Sequence, residues 1–346
     1  MRIGVLDVGS NSAHLKVVDL IAGGAPRPVA AVKRPTRLAE AIDADGVVGE
    51  DAVCRLVGSV GEAVRAAAAY GAEELIAFAT SAVRDAANQQ QIVAQVDAVT
   101  GVRLGFLSGR DEARLTFLAA RAWYGWSAGR LLLADIGGGS LEIAHGAGQE
   151  PALAVSLPLG AGRLTRAHLP GDPPARKDVH RLRGHVYERL AEVGAQVKED
   201  LKGRSSVRPV ATSKTFTQLA RLTGAPKRKA GPYARRQLKL ARLREQIPVL
   251  ADRCAEHRAQ LRGVSRPRAP QILAGAIVAE ALMTTLGLDR VDICPWAIRE
   301  GLMIRRLQAM TDPAAADEET AYLTQAVPAF PAPGRPSLRP VPSLSA

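Results

Sequence analysis

Two stretches of this chain, Asp7-Val8-Gly9-Ser10-Asn11-Ser12 and Asp135-Ile136-Gly137-Gly138-Gly139-Ser140, carry Asp, Gly and Ser at the same places, with an aliphatic residue after each Asp. Each is entered from an apolar run, Ile3 to Val8 and Leu131 to Ile136, and each is left by a second strand-like run. A strand, a tight glycine turn and a returning strand form one supersecondary unit. Its recurrence in a chain of 346 residues, long enough for about two cores, points to two related domains. A Gly/Ser loop at the end of a buried strand also offers backbone N–H groups and hydroxyls with no side chain in the way, which is how proteins grip phosphate oxygens. One such loop reads equally well as an ordinary turn; the pair favours phosphate.

The rest of the pattern alternates helix and strand, which is the signature of an α/β fold. An Ala-rich helix over Val53 to Tyr70 ends at Gly71 and is followed by a strand at Leu75–Ala79. Ser81 caps a helix to about Val99, Leu104 to Leu107 is a strand, and Ser108 opens a helix to about Trp123. The pattern restarts after Gly125, so the boundary is expected near Ser127, with one domain over 1–127 and a second over 128–310. Helices follow near Arg176–Lys198, Thr212–Leu222, Arg236–Ala251 and Pro270–Leu286, then a strand at Val291–Ile293 and a helix over Trp296–Leu307. Residues 311–346 are rich in Pro, Ala and Ser and read as a disordered tail.

Composition narrows the class. Hydrophobic residues at 47% and charged residues at 23% exclude wholesale disorder. No leader pattern opens the chain and no apolar run approaches the ~20 residues of a membrane span, so a cytoplasmic protein with no membrane partner is expected. Cys54, Cys254 and Cys294 are odd in number and widely spaced, so neither disulfide nor zinc is assigned. The net charge of +12 is concentrated. Leu201 to Arg268 holds 18 Lys and Arg against Glu245, Asp252 and Glu256, which leaves the remaining chain at −3. Such a field suits a polyanion, with a merely solvated basic face as the alternative. Lys227, Arg228 and Lys229 are its densest run, and the scarcity of aromatic residues, 4%, argues against base stacking and so against a specific nucleic-acid partner.

Carboxylates mark the chemistry. Asp7 and Asp135 open the two loops, and Asp135 with Glu142 is the preferred metal group, since carboxylates beside phosphate can hold Mg2+. In Ser108-Gly109-Arg110-Asp111-Glu112, Asp111 fits a capping box with Ser108. Glu112 stands in the first helical turn, where the dipole keeps it ionised; spacing alone leaves it as either a proton acceptor or an ordinary helix N-terminal acid.

The stretches LDVGSNSAHLKVVD, FATSAVRDAAN, LSGRDEARLTFLA, LLLADIGGGSLEI and SLPLGAGRLT, with ILAGAIVAEALM and WAIREGL later, resemble in content and order the exopolyphosphatase and guanosine pentaphosphate phosphohydrolase (Ppx/GppA) family, part of the actin, hexokinase and Hsp70 superfold. The resemblance spans Arg2 to about Leu307. It implies an α/β protein of two actin-like, RNase H-like domains flanking a phosphate-binding cleft. It implies that Glu112, before Ala-Arg, is the catalytic base, and that Asp135 and Glu142, with Asp7 on the other loop, hold Mg2+ or Mn2+. Gly9, Ser10, Asn11, Ser12, Gly138, Gly139 and Ser140 would bind phosphate, with Arg84 of TSAVR and, by a looser match, Lys214 of ATSKTF. The leading expectation is Mg2+-dependent release of terminal orthophosphate from inorganic polyphosphate of short to medium length, since the helical domain that long members add at the C-terminus has no counterpart in the Pro-rich tail. Guanosine pentaphosphate as substrate in stringent signalling is the alternative. A kinase-like ATPase and a polyanion-binding regulator with a dead site are the remaining rivals, and a homodimer is compatible with the family.

Overall fold

The computed structural model describes residues 1–43, 45–203, 207–231, 233–312 and 318–328. The chain divides into two compact units, Met1–Ser108 with the segment from Arg299 onward, and Gly109–Ile298.

In the first unit, β1 (Arg2–Val8), β2 (Ser12–Asp19) and β3 (Arg27–Pro35) form an antiparallel meander. β4 (Glu74–Ala79) returns parallel to β1, and the short β5 (Gly105–Phe106) lies parallel to β4. The crossover to β4 is the helix Glu50–Ala69, whose Leu56, Val60 and Val64 join Leu15, Val17 and Leu75 in one core. Its many alanines let the helix lie close to the sheet.

The second unit repeats the plan. β6 (Arg130–Ile136), β7 (Leu141–Gly146) and β8 (Leu153–Leu157) form the meander, and β9 (Val207–Thr212) returns parallel to β6. β10 (Gln237–Lys239) pairs antiparallel with β11 (Arg290–Ile293), which runs parallel to β9. The two hairpins even share their register, with Asp7 opposite His14 and Asp135 opposite Glu142. Among the described residues no helix is long and apolar enough to cross a membrane.

The structure departs from the sequence reading in several places. The helix Gly109–Tyr124 groups with the second unit, not with residues 1–127, because Ala113, Phe117 and Ala120 pack on Leu131, Leu133 and Ala144 of the second sheet. At the other end the segment from Arg299 groups with the first unit, where Lys16 ion-pairs with the buried Glu300 and Arg306 reaches both oxygens of Glu74 at 2.7 Å. The helix expected from Ser81 to Val99 is two pieces, Ser81–Arg84 and Gln89–Thr100. Between the pieces Ala87 N–H donates to Gly46 C=O at 2.9 Å and not along a helix, and the side chain of Asn88 holds the backbone of Val48 at 2.9 and 3.0 Å. The tail expected to be disordered contains a helix at Glu318–Leu323 and β12 (Thr324–Ala326), which pairs antiparallel with β4 at Glu74–Ile76. Residues 313–317 and 329–346 lie outside the described residues.

The helix Ile272–Thr285 is buried along nearly its whole length, and Glu280 is its one charged residue. Burial works to raise the Glu280 carboxyl, but hydrogen bonds from Arg183 and Arg244, at 2.8 and 3.0 Å, outweigh it and hold the group below the usual carboxylate range. Glu280→Gln, which leaves two arginines facing a neutral group, should destabilise the protein by roughly 3 kcal/mol in urea unfolding at pH 7. A depressed folded-state pKa contributes stability above the unfolded value that is lost as pH falls through the folded one, so the gap between wild type and variant should close in acid.

Candidate active site

Both glycine loops are built the same way. In the first, Gly9 N–H donates to Ser12 C=O at 3.1 Å; in the second, Gly137 N–H donates to Ser140 C=O at 2.9 Å. A downstream segment then takes up the loop carbonyls. In the first unit Asn11 C=O accepts from the backbone N–H groups of Thr36 and Arg37, and Gly9 C=O accepts from the Thr36 hydroxyl at 3.3 Å. In the second, Gly137 C=O accepts from Ala161 N–H at 3.0 Å, Gly138 C=O from Arg163 N–H at 2.9 Å, and Gly139 C=O from Arg163 Nε at 2.9 Å. With the carbonyls engaged, no backbone acceptor is paired with the N–H groups of Ser10, Asn11, Gly138, Gly139 or Ser140 among the described residues. A run of oriented, unspent N–H groups is an anion-binding nest.

The second unit surrounds its loop with carboxylates. Asp135 is the penultimate residue of β6, Glu142 lies opposite it on β7, and Glu112 sits in the first turn of the helix Gly109–Tyr124, which packs on β8 so closely that a Cβ on Gly109 would collide with Ser156. Glu112 and Glu142 are both buried. Glu142 accepts a hydrogen bond from the Ser156 hydroxyl at 2.9 Å and another from Ser140. Its carboxyl is nonetheless pushed well above the usual range, first by burial and then by the negative charges of Glu112 and Asp135. The site is thus short of positive charge, and its donors are all oxygen, which fits a hard divalent cation. Among the described residues no group of three or more His, Cys, Asp or Glu is placed to hold a metal ion, so the protein offers Asp135 and Glu142 as a pair of carboxylates and not a full ligand set.

The first unit differs in charge at the matching positions. Where the second unit has Glu142, it has His14, which is hydrogen-bonded to the guanidinium of Arg299. Arg299 Nε lies 3.9 Å from Asp7 Oδ2. Asp7, expected as a further metal ligand, therefore sits beside a cation. Ser12 opens β2. Arg84 donates to Leu107 C=O at 2.8 Å and pairs with Asp85 at 3.2 Å, the ion pair that is the bland alternative to a phosphate role.

Lys214 is exposed in the first turn of the helix Ser213–Leu222, directly after β9. Ser213 before it takes φ 94°, a left-handed conformation that costs a residue with a side chain about 1–3 kcal/mol. Lys227, Arg228 and Lys229 fall on the loop between that helix and β10, with Lys227 and Lys229 exposed. Three participants escaped the sequence reading. Arg163 and Ser156 carry the second loop and Glu142, and Arg299 faces Asp7. The segment Gly160-Ala161-Gly162-Arg163 was the available signal for the first of these; Arg299 lies in the WAIREGL stretch, but nothing local gives it a role, since its partner His14 is 285 residues away.

Comparison with known proteins gives the same direction. Residues 17–310 match the model of the Ppx/GppA phosphatase family. The chain is 52% identical over 312 residues to exopolyphosphatase 1 of Mycobacterium leprae, covering 90% of this chain and 91% of that protein. It is 51% identical over 324 residues to exopolyphosphatase 1 of Mycobacterium tuberculosis, covering 94% and 93%. The crystal structure of an exopolyphosphatase from Cytophaga hutchinsonii superimposes with a TM-score of 0.78 at 22% identity over 89% of this chain and 98% of that one. The α/β architecture of two actin-like domains follows from that likeness and from the repeated sheets.

Gly160 tests the clamp on the second loop. A Cβ there would overlap the backbone of Gly139 and Ser140. Gly160→Ala should cost roughly 1–3 kcal/mol of stability and displace the loop. The expected result is at least about a tenfold loss of phosphate-releasing turnover in protein that circular dichroism shows to be folded.

Proposed function

Since the chain belongs to the Ppx/GppA phosphatase family, we propose that it is an exopolyphosphatase, a phosphoanhydride hydrolase that removes terminal orthophosphate from cytoplasmic polyphosphate of short to medium length with Mg2+ or Mn2+. The observation that carries this reading is that Glu112, the nest at Gly138–Ser140 and the pair Asp135 and Glu142 belong to one compact unit. The names of the mycobacterial relatives support the same substrate.

In this reading the unpaired N–H groups of the second loop, with the Ser140 hydroxyl, orient the terminal phosphoryl group. Those of Ser10 and Asn11, with Ser12, bind phosphate oxygens on the first loop. Glu112 accepts a proton from water as the water oxygen bonds to the terminal phosphorus and the bridging P–O bond breaks. The products are orthophosphate and a chain shorter by one phosphate. A divalent ion held by Asp135 and Glu142 would offset the charge that gathers on the phosphoryl oxygens, the main barrier to phosphoryl transfer. Asp7 is the corresponding carboxylate of the first loop. Arg84 and Lys214 contribute further positive charge, Arg84 by exchanging Asp85 for phosphate. Lys227, Arg228 and Lys229 guide the polymer.

The deciding experiment measures phosphate release by one preparation from triphosphate, long polyphosphate and guanosine pentaphosphate, with Mg2+ and with EDTA. Release from polyphosphate that EDTA abolishes is expected. Preference for guanosine pentaphosphate would move the protein to the other branch of the family, and no release from any of them would leave a polyanion-binding regulator.

Glu112→Gln should reduce turnover by about a hundredfold or more, with KM changed little. Retention of more than about a tenth of wild-type turnover at saturating Mg2+ would place the base elsewhere. Replacing Lys227, Arg228 and Lys229 with Glu should raise KM strongly for long polyphosphate and little for triphosphate, and added salt should reproduce the effect in the wild type. An equal change for both lengths would reduce this cluster to a solvated face.

A further inference from the structure

The chain has three tryptophans and five tyrosines, too few for a stacking protein if they were scattered. The fold gathers four of them. Tyr233 stacks on Trp123, ring centroids 5.5 Å apart and planes within 15°, and Trp123 also meets Trp296 at 5.5 Å and 56°. The neighbouring Tyr124 lies under the Arg208 guanidinium, 4.8 Å from its ring centroid. Trp123 and Trp296 are partly buried against the core, which makes the base of the stack rigid. Tyr233 is 87% exposed, so its outer π-face is open.

The loop that carries Tyr233 is built around one side chain. The Arg236 guanidinium donates to the carbonyls of Pro226, Lys227, Gly231 and Ala234 at 2.8–3.3 Å. This places exposed Lys227, Lys229 and Arg235 on the same loop as the exposed ring. Arg235 and Arg208 share Asp292, at 3.6 and 3.4 Å, whereas Lys227 and Lys229 have no acidic partner among the described residues. Exposed cations and an open aromatic face within a few residues of each other are the two components with which proteins hold single strands: charge for the backbone and a π-face for a base. Polyphosphate would use the lysines and leave the stack without a role.

We propose that Tyr233 on the Trp123 stack, with Lys227 and Lys229, binds single-stranded polynucleotide without sequence preference, a base lying on Tyr233 and backbone phosphates on the two lysines. The two lysines are those that guide polyphosphate in the phosphohydrolase reading, whereas the aromatic stack has no part in that reading and its role does not depend on it.

The test titrates a short oligouridine, and separately polyphosphate with the same number of phosphates, into the full chain while tryptophan emission is followed. Oligouridine should quench the emission and bind with a salt dependence that reports a few phosphate contacts. Tyr233→Ala should weaken oligouridine roughly tenfold or more, Tyr233→Trp should restore it, and polyphosphate affinity should change by less than about twofold in either. Lys227→Glu with Lys229→Glu should weaken both ligands. If Tyr233→Ala binds oligouridine as the wild type does, or if the two polyanions bind alike with no change in emission, the loop recognises charge alone and the proposal is wrong.

Discussion

The hydrogen bonds that hold the carbonyls of the glycine loops from behind are the constraint on which the site depends. A glycine loop left to itself samples many conformations, and its N–H groups point wherever the peptide planes turn. Here Ala161 and Arg163 take three successive carbonyls of the second loop, and Thr36 and Arg37 take two of the first. Fixing each C=O fixes the N–H on the other end of the same peptide plane. The orientation of the anion-binding groups is thereby settled before any anion arrives, which removes an ordering cost from binding.

Shared architecture then supports unlike chemistry. The same hairpin register brings Asp7 to His14 and Asp135 to Glu142. In one unit the pair is completed by Arg299, in the other by Glu112. The first arrangement is nearly neutral and hospitable to phosphate. The second concentrates negative charge to the point that burial and its neighbours force Glu142 toward its protonated form. Placing the helix Gly109–Tyr124 with the second unit is what makes this asymmetry possible, since it delivers the third carboxylate to the same compact unit as the other two.

The paired loops, the α/β alternation and the strands that enter each loop were legible because strand, glycine turn and strand are encoded within a few residues. What stayed hidden depends on long-range pairing. β3 contains Pro28 and ends at Pro35, residues that argue against a strand, but it is an edge strand, where a missing N–H does no harm. Gln237–Lys239 reads as the start of a helix and becomes a strand only because β11 lies alongside it. A good helical pattern is broken where Ala87 N–H and the Asn88 side chain bond to Gly46 and Val48, about 40 residues away. Arg163 and Ser156 have no meaning until β8 and the Gly160 segment are brought against the second loop.

β12 gives the molecule an order of assembly. The unit Gly109–Ile298 is one unbroken stretch of chain and contains everything its sheet requires. The first unit is begun earlier but cannot be finished until Thr324–Ala326 has been made, because that strand covers the exposed edge of β4, and the neighbouring Tyr322 binds the backbone of Phe106. On a ribosome, where domains fold as their residues emerge, the later-starting unit closes first. Until then the earlier one waits with an open sheet edge, the kind of surface on which strands of other chains can add. A truncation before residue 324 would leave that edge open for the life of the protein.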